Sequence, residues 1–126
     1  MTGMACGKRR TFTPGEVWLD SDGSPIQAHG GGILYDKGTY YCYGEHRGGT
    51  TSGNGLGVAR VNVIGVSCYS SQDLYTWKYE GLALPAVQDN PAHDLHPSKV
   101  VERPKVIFNE KTRKYVMGLH IDTSEC

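Results

Sequence analysis

Short segments rich in β-branched and aromatic residues recur along the chain, and none of them shows the 3.6-residue period of an amphipathic helix. Residues 32–35 and 39–43 lie on either side of a short glycine-containing turn, which predicts a β-hairpin. Residues 61–69 regain β character, and residues 75–80 alternate aromatic with polar positions as a half-buried strand does. We therefore predict one antiparallel sheet of four strands.

Two segments lack this pattern. Residues 1–16 mix Gly, Thr and Pro with a cluster of three basic residues, which predicts a flexible lead-in. Residues 47–57 are rich in Gly, Ser and Thr, and their side chains are too small and polar to build a core. We expect them to form a long loop between the second and third strands.

The hairpin pattern then occurs a second time. Residues 106–109 repeat residues 33–36, and residues 115–117 follow their turn as the earlier strand follows its own. One four-stranded sheet followed by the first half of another is typical of a β-propeller, with a β-sandwich as the alternative. Because propellers close with about four to eight blades, we expect about one and a half blades here and therefore a fragment.

The predicted domain organisation follows from this repeat. A partial propeller domain would occupy residues 17–126, with the first blade at about 17–88 and the start of the second at about 100–122.

Composition narrows the classes of function. The chain has 126 residues with 17 Gly and 8 Tyr, as expected of a turn-rich β protein. Its 13 Lys and Arg balance 13 Asp and Glu, which argues against a nucleic acid partner. No apolar run is long enough to span a bilayer, and the first twenty residues show no secretory signal. None of the 4 Cys forms a Cys-x-x-Cys pair, so the thiols predict no zinc or redox function.

The repeat places His29 and Glu102 at equivalent positions, just before the first strand of each blade. First strands line the channel of a propeller, so we expect both residues at one rim of the channel, with Glu102 facing a pocket. Arg103 offers a rigid donor fork for a carboxylate or a sugar hydroxyl, and Pro104 fixes the backbone beside it. The alternative is an ordinary surface salt bridge between Glu102 and Arg103.

A second rim feature runs from Gln27 through His29 to three consecutive glycines. Without side chains the glycines would let a ligand approach the backbone, although they could also form a plain hinge. His29 could equally be a histidine that only closes a turn. Tyr43 and Glu45 end the next strand, so Glu45 is a second carboxylate that could reach this rim.

Two carboxylates above an aromatic-rich pocket are the minimum equipment of a glycoside hydrolase, with one acting as acid and one as base. Metal binding by His93 and His96 is the competing chemistry, but the sequence offers no third or fourth ligand nearby. No nucleotide, dinucleotide or serine-hydrolase motif is present, so we expect no cofactor and no metal.

Five segments, taken together and in this order, point to one family. They are QAHGGGI (27–33), YGE (43–45), IGVSCYSSQDLYTW (64–77), HDLH (93–96) and ERPKV (102–106). These segments resemble glycoside hydrolase family 43 and, within it, the galactan β-1,3-galactosidase branch.

The resemblance implies a five-bladed propeller that removes galactose, with inversion, from the non-reducing end of β-1,3-galactan, the backbone of arabinogalactan. It assigns Glu102 to the reaction centre as a carboxylate that assists catalysis, and Glu45 to the terminal galactose. We expect Gln27, His29, Tyr43 and Arg103 to bind substrate as well. Most of the family has a base Asp at this place. This chain has Gln27-Ala28-His29 there instead, and in this it is similar to the galactanase branch.

The resemblance also limits what these residues can do alone. The general acid of the family is a Glu from a later blade, so we expect little or no activity from this chain by itself. A carbohydrate-binding or partner-docking remnant without chemistry is the alternative function. The family acts on secreted glycans, which implies the secretory route or the extracellular space.

Overall fold

The computed structural model describes residues 11–53 and 59–122 of the chain. The first ten residues of the predicted lead-in, the end of the predicted loop and residues 123–126 lie outside this part. The described residues form six strands: β1 (His29–Asp36), β2 (Thr39–Gly53), β3 (Ala59–Ser71), β4 (Lys78–Pro85), β5 (Val100–Asn109) and β6 (Lys114–Asp122). Among the described residues there is no helix of the length and hydrophobicity needed to cross a membrane.

The first four strands form one antiparallel sheet in the order β1-β2-β3-β4, which confirms the prediction. The turn between β1 and β2 contains Lys37 and Gly38, both with positive φ (47° and 87°). Glycine adopts this conformation at no steric cost, so the turn closes tightly and sets the register of the hairpin.

The long loop predicted for residues 47–57 is wrong in its first half. β2 continues to Gly53 and pairs with β3 as far as Ala59. Two register irregularities between His46 and Thr51 accommodate the extra residues. Strand pairing uses backbone groups, and small residues supply these as well as large ones do. The prediction of a loop rested on side-chain composition, which does not report backbone pairing.

The fourth strand begins later than predicted, because residues 72–77 form a turn between β3 and β4. The Ser71 hydroxyl oxygen accepts hydrogen bonds from the N–H groups of Asp73 and Leu74 (3.2 and 2.9 Å). Asp73 Oδ1 in turn accepts from the N–H groups of Tyr75 and Thr76 (2.9 and 2.8 Å). Side chains of this kind replace strand pairing with local bonds, which explains the shift.

Trp77, the last residue of this turn, lies in the core of the first sheet. Trp77 is only 2% exposed, packs with Cys42 and Tyr69, and donates its indole N–H to the Leu74 carbonyl (3.1 Å). Trp18, from the segment before β1, meets the ring edge-on with centroids 6.0 Å apart. Among the described residues, the main apolar cluster therefore lies on the first sheet.

Within the lead-in, Phe12 stacks on the ring of Tyr75 with centroids 4.6 Å apart. This contact joins the segment before β1 to the turn that precedes β4.

β5 and β6 form a second, two-stranded antiparallel sheet, which confirms the repeated hairpin. β5 lies against β1 and β2. At the turn end of the hairpins, the Tyr115 hydroxyl donates to Asp36 Oδ2 (2.5 Å), and this hydrogen bond raises the pKa of Tyr115. The two sheets are thus in contact through β5 and through this hydrogen bond.

Candidate functional site

The two hairpins carry a β-bulge at the same place. Pairing is irregular between His29 and Gly32 in β1 and between Glu102 and Lys105 in β5. The prediction that His29 and Glu102 precede their strands is therefore wrong, because His29 is the first residue of β1 and Glu102 lies inside β5. A bulge lets a strand continue past an unpaired residue, and it turns the neighbouring side chains.

The bulges share an unusual backbone conformation. Gly30 in the first has φ 57°, and Arg103, its equivalent in the second, has φ 53°. Among the described residues, the other non-glycine residues with positive φ all lie in turns: Lys37, Leu74 and Arg113. A left-handed arginine inside a strand is strained, and such residues cluster at functional sites.

Glu45 connects the two bulges. Its side chain is 2% exposed, and its Oε1 accepts a hydrogen bond from the N–H of Arg103 (3.2 Å). Its Oε2 accepts from Arg47 Nη2 (3.1 Å), in an ion pair whose arginine is about half exposed. Both oxygens of this buried carboxylate are therefore engaged by the protein, and the charge is compensated.

Glu102 has a different environment. Its side chain is 38% exposed, and its Oε2 lies 3.5 Å from Nδ1 of His120 on the paired strand. In the first hairpin, His29 and Glu45 are the cross-strand pair at the equivalent place. The two hairpins thus carry the same histidine–glutamate pair with the two residues exchanged between strands. The accessible carboxylate is the one in the second hairpin.

A hydrogen-bond network fixes the segment that leads into β1. The Gln27 N–H donates to the Tyr69 hydroxyl (3.0 Å), and the Gln27 carbonyl accepts from the buried Ser67 hydroxyl. The Gln27 side-chain oxygen and His29 Nε2 are 3.0 Å apart. Gln27 and His29 therefore act as one unit beside the first bulge, and His29 also lowers the pKa of His46, second to the effect of burial.

The three glycines do not leave an open backbone. Lys105 crosses them, and its Nζ donates to the carbonyls of Gly30 and Gly31 (3.0 and 3.1 Å). A Cβ at Gly32 would lie 2.6 Å from Lys105 Cδ. The space that the sequence assigned to a ligand is occupied, at Gly32, by a side chain of the neighbouring sheet.

Tyr43 pairs with Gly32 through its backbone, but its place in the molecule differs from that of the carboxylates. It lines a cavity of about 170 Å³ with Leu34, Asp36, Tyr41 and Tyr115, toward the turn end of the hairpins. Burial, together with the neighbouring Cys68, raises the pKa of Tyr43 to about 12. Cys42 and Cys68 are both buried and free, and burial raises the pKa of each thiol.

His93 and His96 take part in local turns. His93 Nδ1 accepts a hydrogen bond from the Leu95 N–H (3.0 Å), and His96 Nδ1 accepts from the Ser98 N–H (3.1 Å). No group of three or more metal-ligating side chains with suitable geometry occurs within residues 11–53 and 59–122.

The structure thus brings Gln27, His29, Glu45, Glu102 and Arg103 to the bulge end of the hairpins. Reasoning from the sequence missed three partners of these residues: Arg47, Lys105 and His120. His120 alone had a signal, because the repeat places it opposite Glu102, as Glu45 is placed opposite His29.

Several solved structures are similar to this chain. A GH43 β-1,3-galactosidase, BT3683, with galactodeoxynojirimycin is 48% identical (TM-score 0.72), and the match covers 88% of this chain and 30% of that one. An exo-β-1,3-galactanase from Clostridium thermocellum is 38% identical (TM-score 0.68; 88% and 21% covered). A third, from Phanerochaete chrysosporium with β-1,3-galactotriose, is 39% identical (TM-score 0.71; 86% and 23% covered). No family model matches the chain, and no curated protein matches it significantly.

These findings define an all-β chain that carries about one and a half blades of a glycoside hydrolase family 43 β-propeller, and they confirm the predicted resemblance. Within that family, the structures it resembles are β-1,3-galactosidases and exo-β-1,3-galactanases. The chain spans less than a third of the length of each of the three structures compared above.

Proposed function

We propose that the chain forms the galactose-binding rim of an exo-acting, inverting β-1,3-galactan hydrolase, with Glu102 at the reaction centre. The observation that supports this is the partly exposed Glu102 carboxylate on a strained bulge, where it pairs with His120 and precedes Arg103, whose N–H donates to the buried Glu45. The solved relatives include β-1,3-galactosidases and a galactanase with β-1,3-galactotriose. Arabinogalactan, and with it the secretory route or the extracellular space, follows from the same resemblance.

We assign roles at this rim as follows. Arg103 and the hydrogen-bonded pair Gln27 and His29 bind hydroxyl groups of the terminal galactose. Direct binding of a galactose hydroxyl by Glu45 stays a prediction, because its side chain is 2% exposed and both of its oxygens accept hydrogen bonds from the protein. Tyr43 lines the cavity toward the turn end of the hairpins, and its role as a substrate-binding residue stays a prediction.

We expect the 126 residues alone to bind the sugar and to release little or no galactose. Inverting hydrolysis needs one carboxyl group as acid and a second as base. Of the two carboxylates predicted at this rim, Glu45 is buried and engaged, so Glu102 is the accessible one. The same observation favours the second candidate function, carbohydrate binding without chemistry.

The test is calorimetric titration of the chain with β-1,3-galactotriose, beside a galactose-release assay on the same sample. Glu102→Gln should weaken binding at least tenfold, because it removes the charge that accepts sugar hydroxyls. Glu110→Gln, in the exposed turn between β5 and β6, is the matched control and should bind like the native chain. Equal binding by all three proteins would refute the assignment of Glu102.

The release assay separates the two functions. Galactose release by the chain that Glu102→Gln abolishes would contradict our expectation of inactivity and establish a complete catalytic pair within these residues. Binding without release is the expected result.

A further inference from the structure

The backbone of Arg103 is the least ordinary feature of the rim. Its equivalent in the first hairpin is Gly30, which adopts the same left-handed conformation without a side chain. Glycine at residue 103 would relieve the strain, yet it would remove the guanidinium. An arginine can stay left-handed inside a strand only where its surroundings hold it.

Glu45 is the group that holds it. The Arg103 N–H, which the bulge withdraws from strand pairing, donates instead to Glu45 Oε1 (3.2 Å). Arg47 binds the other oxygen and fixes the orientation of the carboxylate. A Cβ at Gly30 would stand 3.5 Å from Glu45 Oε1, so the first bulge packs directly on this contact.

Lys105 makes the reciprocal contact. The Lys105 side chain extends from the second bulge and donates to the Gly30 and Gly31 carbonyls of the first. The Glu45 side chain extends from the first sheet and accepts from the Arg103 N–H of the second bulge. One anionic and one cationic side chain therefore cross between the sheets in opposite directions. Charge-assisted bonds of this kind are the stronger ones in proteins.

We propose that Glu45 and Lys105 are positioning residues: they lock the two bulges together and hold Arg103 in the left-handed conformation that presents Glu102 and Arg103 at the rim. The value of this lock for sugar binding rests on the proposed function. The lock itself is a property of the protein without any sugar, and it is measurable as such.

The experiment is NMR of the isotope-labelled chain, reading the hydrogen exchange rate of the Arg103 N–H and the coupling constant that reports its φ. Glu45→Ala should raise that exchange rate at least tenfold and shift φ to negative values. Glu45→Gln keeps an acceptor oxygen and should retain most of the protection and the positive φ. Glu110→Gln should change neither. Unaltered protection and φ in Glu45→Ala would overturn the proposal.

Two further variants keep the test decisive if Glu45→Ala does not fold. Glu45→Ala with Arg103→Gly should fold, because glycine needs no partner to stay left-handed. Lys105→Met should raise the Arg103 exchange rate severalfold, whereas Lys111→Met, in the exposed turn, should not. Equal exchange in the two lysine variants would remove Lys105 from the lock.

Titration of the same samples with galactodeoxynojirimycin distinguishes the lock from the proposed function. Weaker binding in Glu45→Ala and Lys105→Met than in their controls is the expected result. Absence of binding in every protein, together with altered exchange of Arg103, would leave the lock intact and count against the sugar site.

Discussion

The two hairpins share a backbone but differ in what they expose. In the first, the bulge residue is Gly30 and the glutamate, Glu45, is buried with both oxygens engaged. In the second, the bulge residue is Arg103 and the glutamate, Glu102, is accessible beside His120. The same bulge geometry thus accompanies a buried, supporting glutamate in the first hairpin and an accessible glutamate in the second.

Their packing differs in the same direction. The first hairpin belongs to a four-stranded sheet with Trp77 in its core, whereas the second forms a sheet of only two strands that packs against the first. Both hairpins leave large apolar side chains exposed, such as Ile33 in the first and Ile107 in the second. The first sheet therefore carries most of the stability, and the second depends on it for position.

The largest expected effect is on the core of the first sheet. Trp77→Ala should lower the free energy of unfolding by about 3–5 kcal/mol, because a large buried side chain leaves a cavity. Val116→Ala on the second sheet should cost less than about 1 kcal/mol. Urea denaturation measures both, and equal losses would contradict the division of stability between the sheets.

The next effect concerns the close approach of Gly44, in β2, to the backbone of Ala28. A Cβ at Gly44 would lie 2.5 Å from Ala28 Cα, so Gly44→Ala should cost about 1–3 kcal/mol. Gly118→Ala in β6 is the matched control, since a Cβ there meets nothing within 4 Å. Thermal unfolding compares the two, and similar midpoints would refute the close approach.

A smaller effect separates the bulges. Gly30→Ala should cost about 1 kcal/mol through backbone strain, because its Cβ would find only ordinary contacts at 3.5–3.6 Å. Arg103→Gly relieves the same strain and should be neutral or stabilising by up to about 1 kcal/mol. A stabilising Gly30→Ala, measured by urea denaturation, would show that the two bulges do not share their conformation.

The last effect is absent at neutral pH and appears only at alkaline pH. Tyr43 ionises near pH 10 in the unfolded chain but has a pKa of about 12 when folded. The unfolded form then loses its proton first, so the free energy of unfolding should fall as pH rises from about 10 to 12. Tyr43→Phe should flatten that fall in urea denaturation at stepped pH, and an unchanged slope would contradict the burial of Tyr43.

The sequence predicted the fold class, the strand order of the first sheet and the repeated hairpin, because these depend on local patterns of apolar residues. It failed where backbone groups or polar side chains decide the structure. β2 extends through small residues to Gly53, and β4 starts only after the bonds of Ser71 and Asp73 are complete.

The site was predictable only in outline. The repeat aligned His29 with Glu102, and the structure places both on bulges. The bonds from Glu45 to the Arg103 N–H and from Lys105 to the glycine carbonyls join residues far apart in the chain. No pattern within either segment contains that information, since it arises only when the two sheets pack.

The most direct test of the account is to ask which bulge a sugar reaches. Amide chemical shifts of the labelled chain, recorded during titration with β-1,3-galactotriose, should change most at Glu102, Arg103 and His120 and less around Gly30. Glu102→Gln should suppress those changes, and Glu110→Gln should preserve them. Shifts confined to the turn end of the hairpins, near Asp36 and Tyr115, would contradict the claim that the second bulge is the sugar-binding rim.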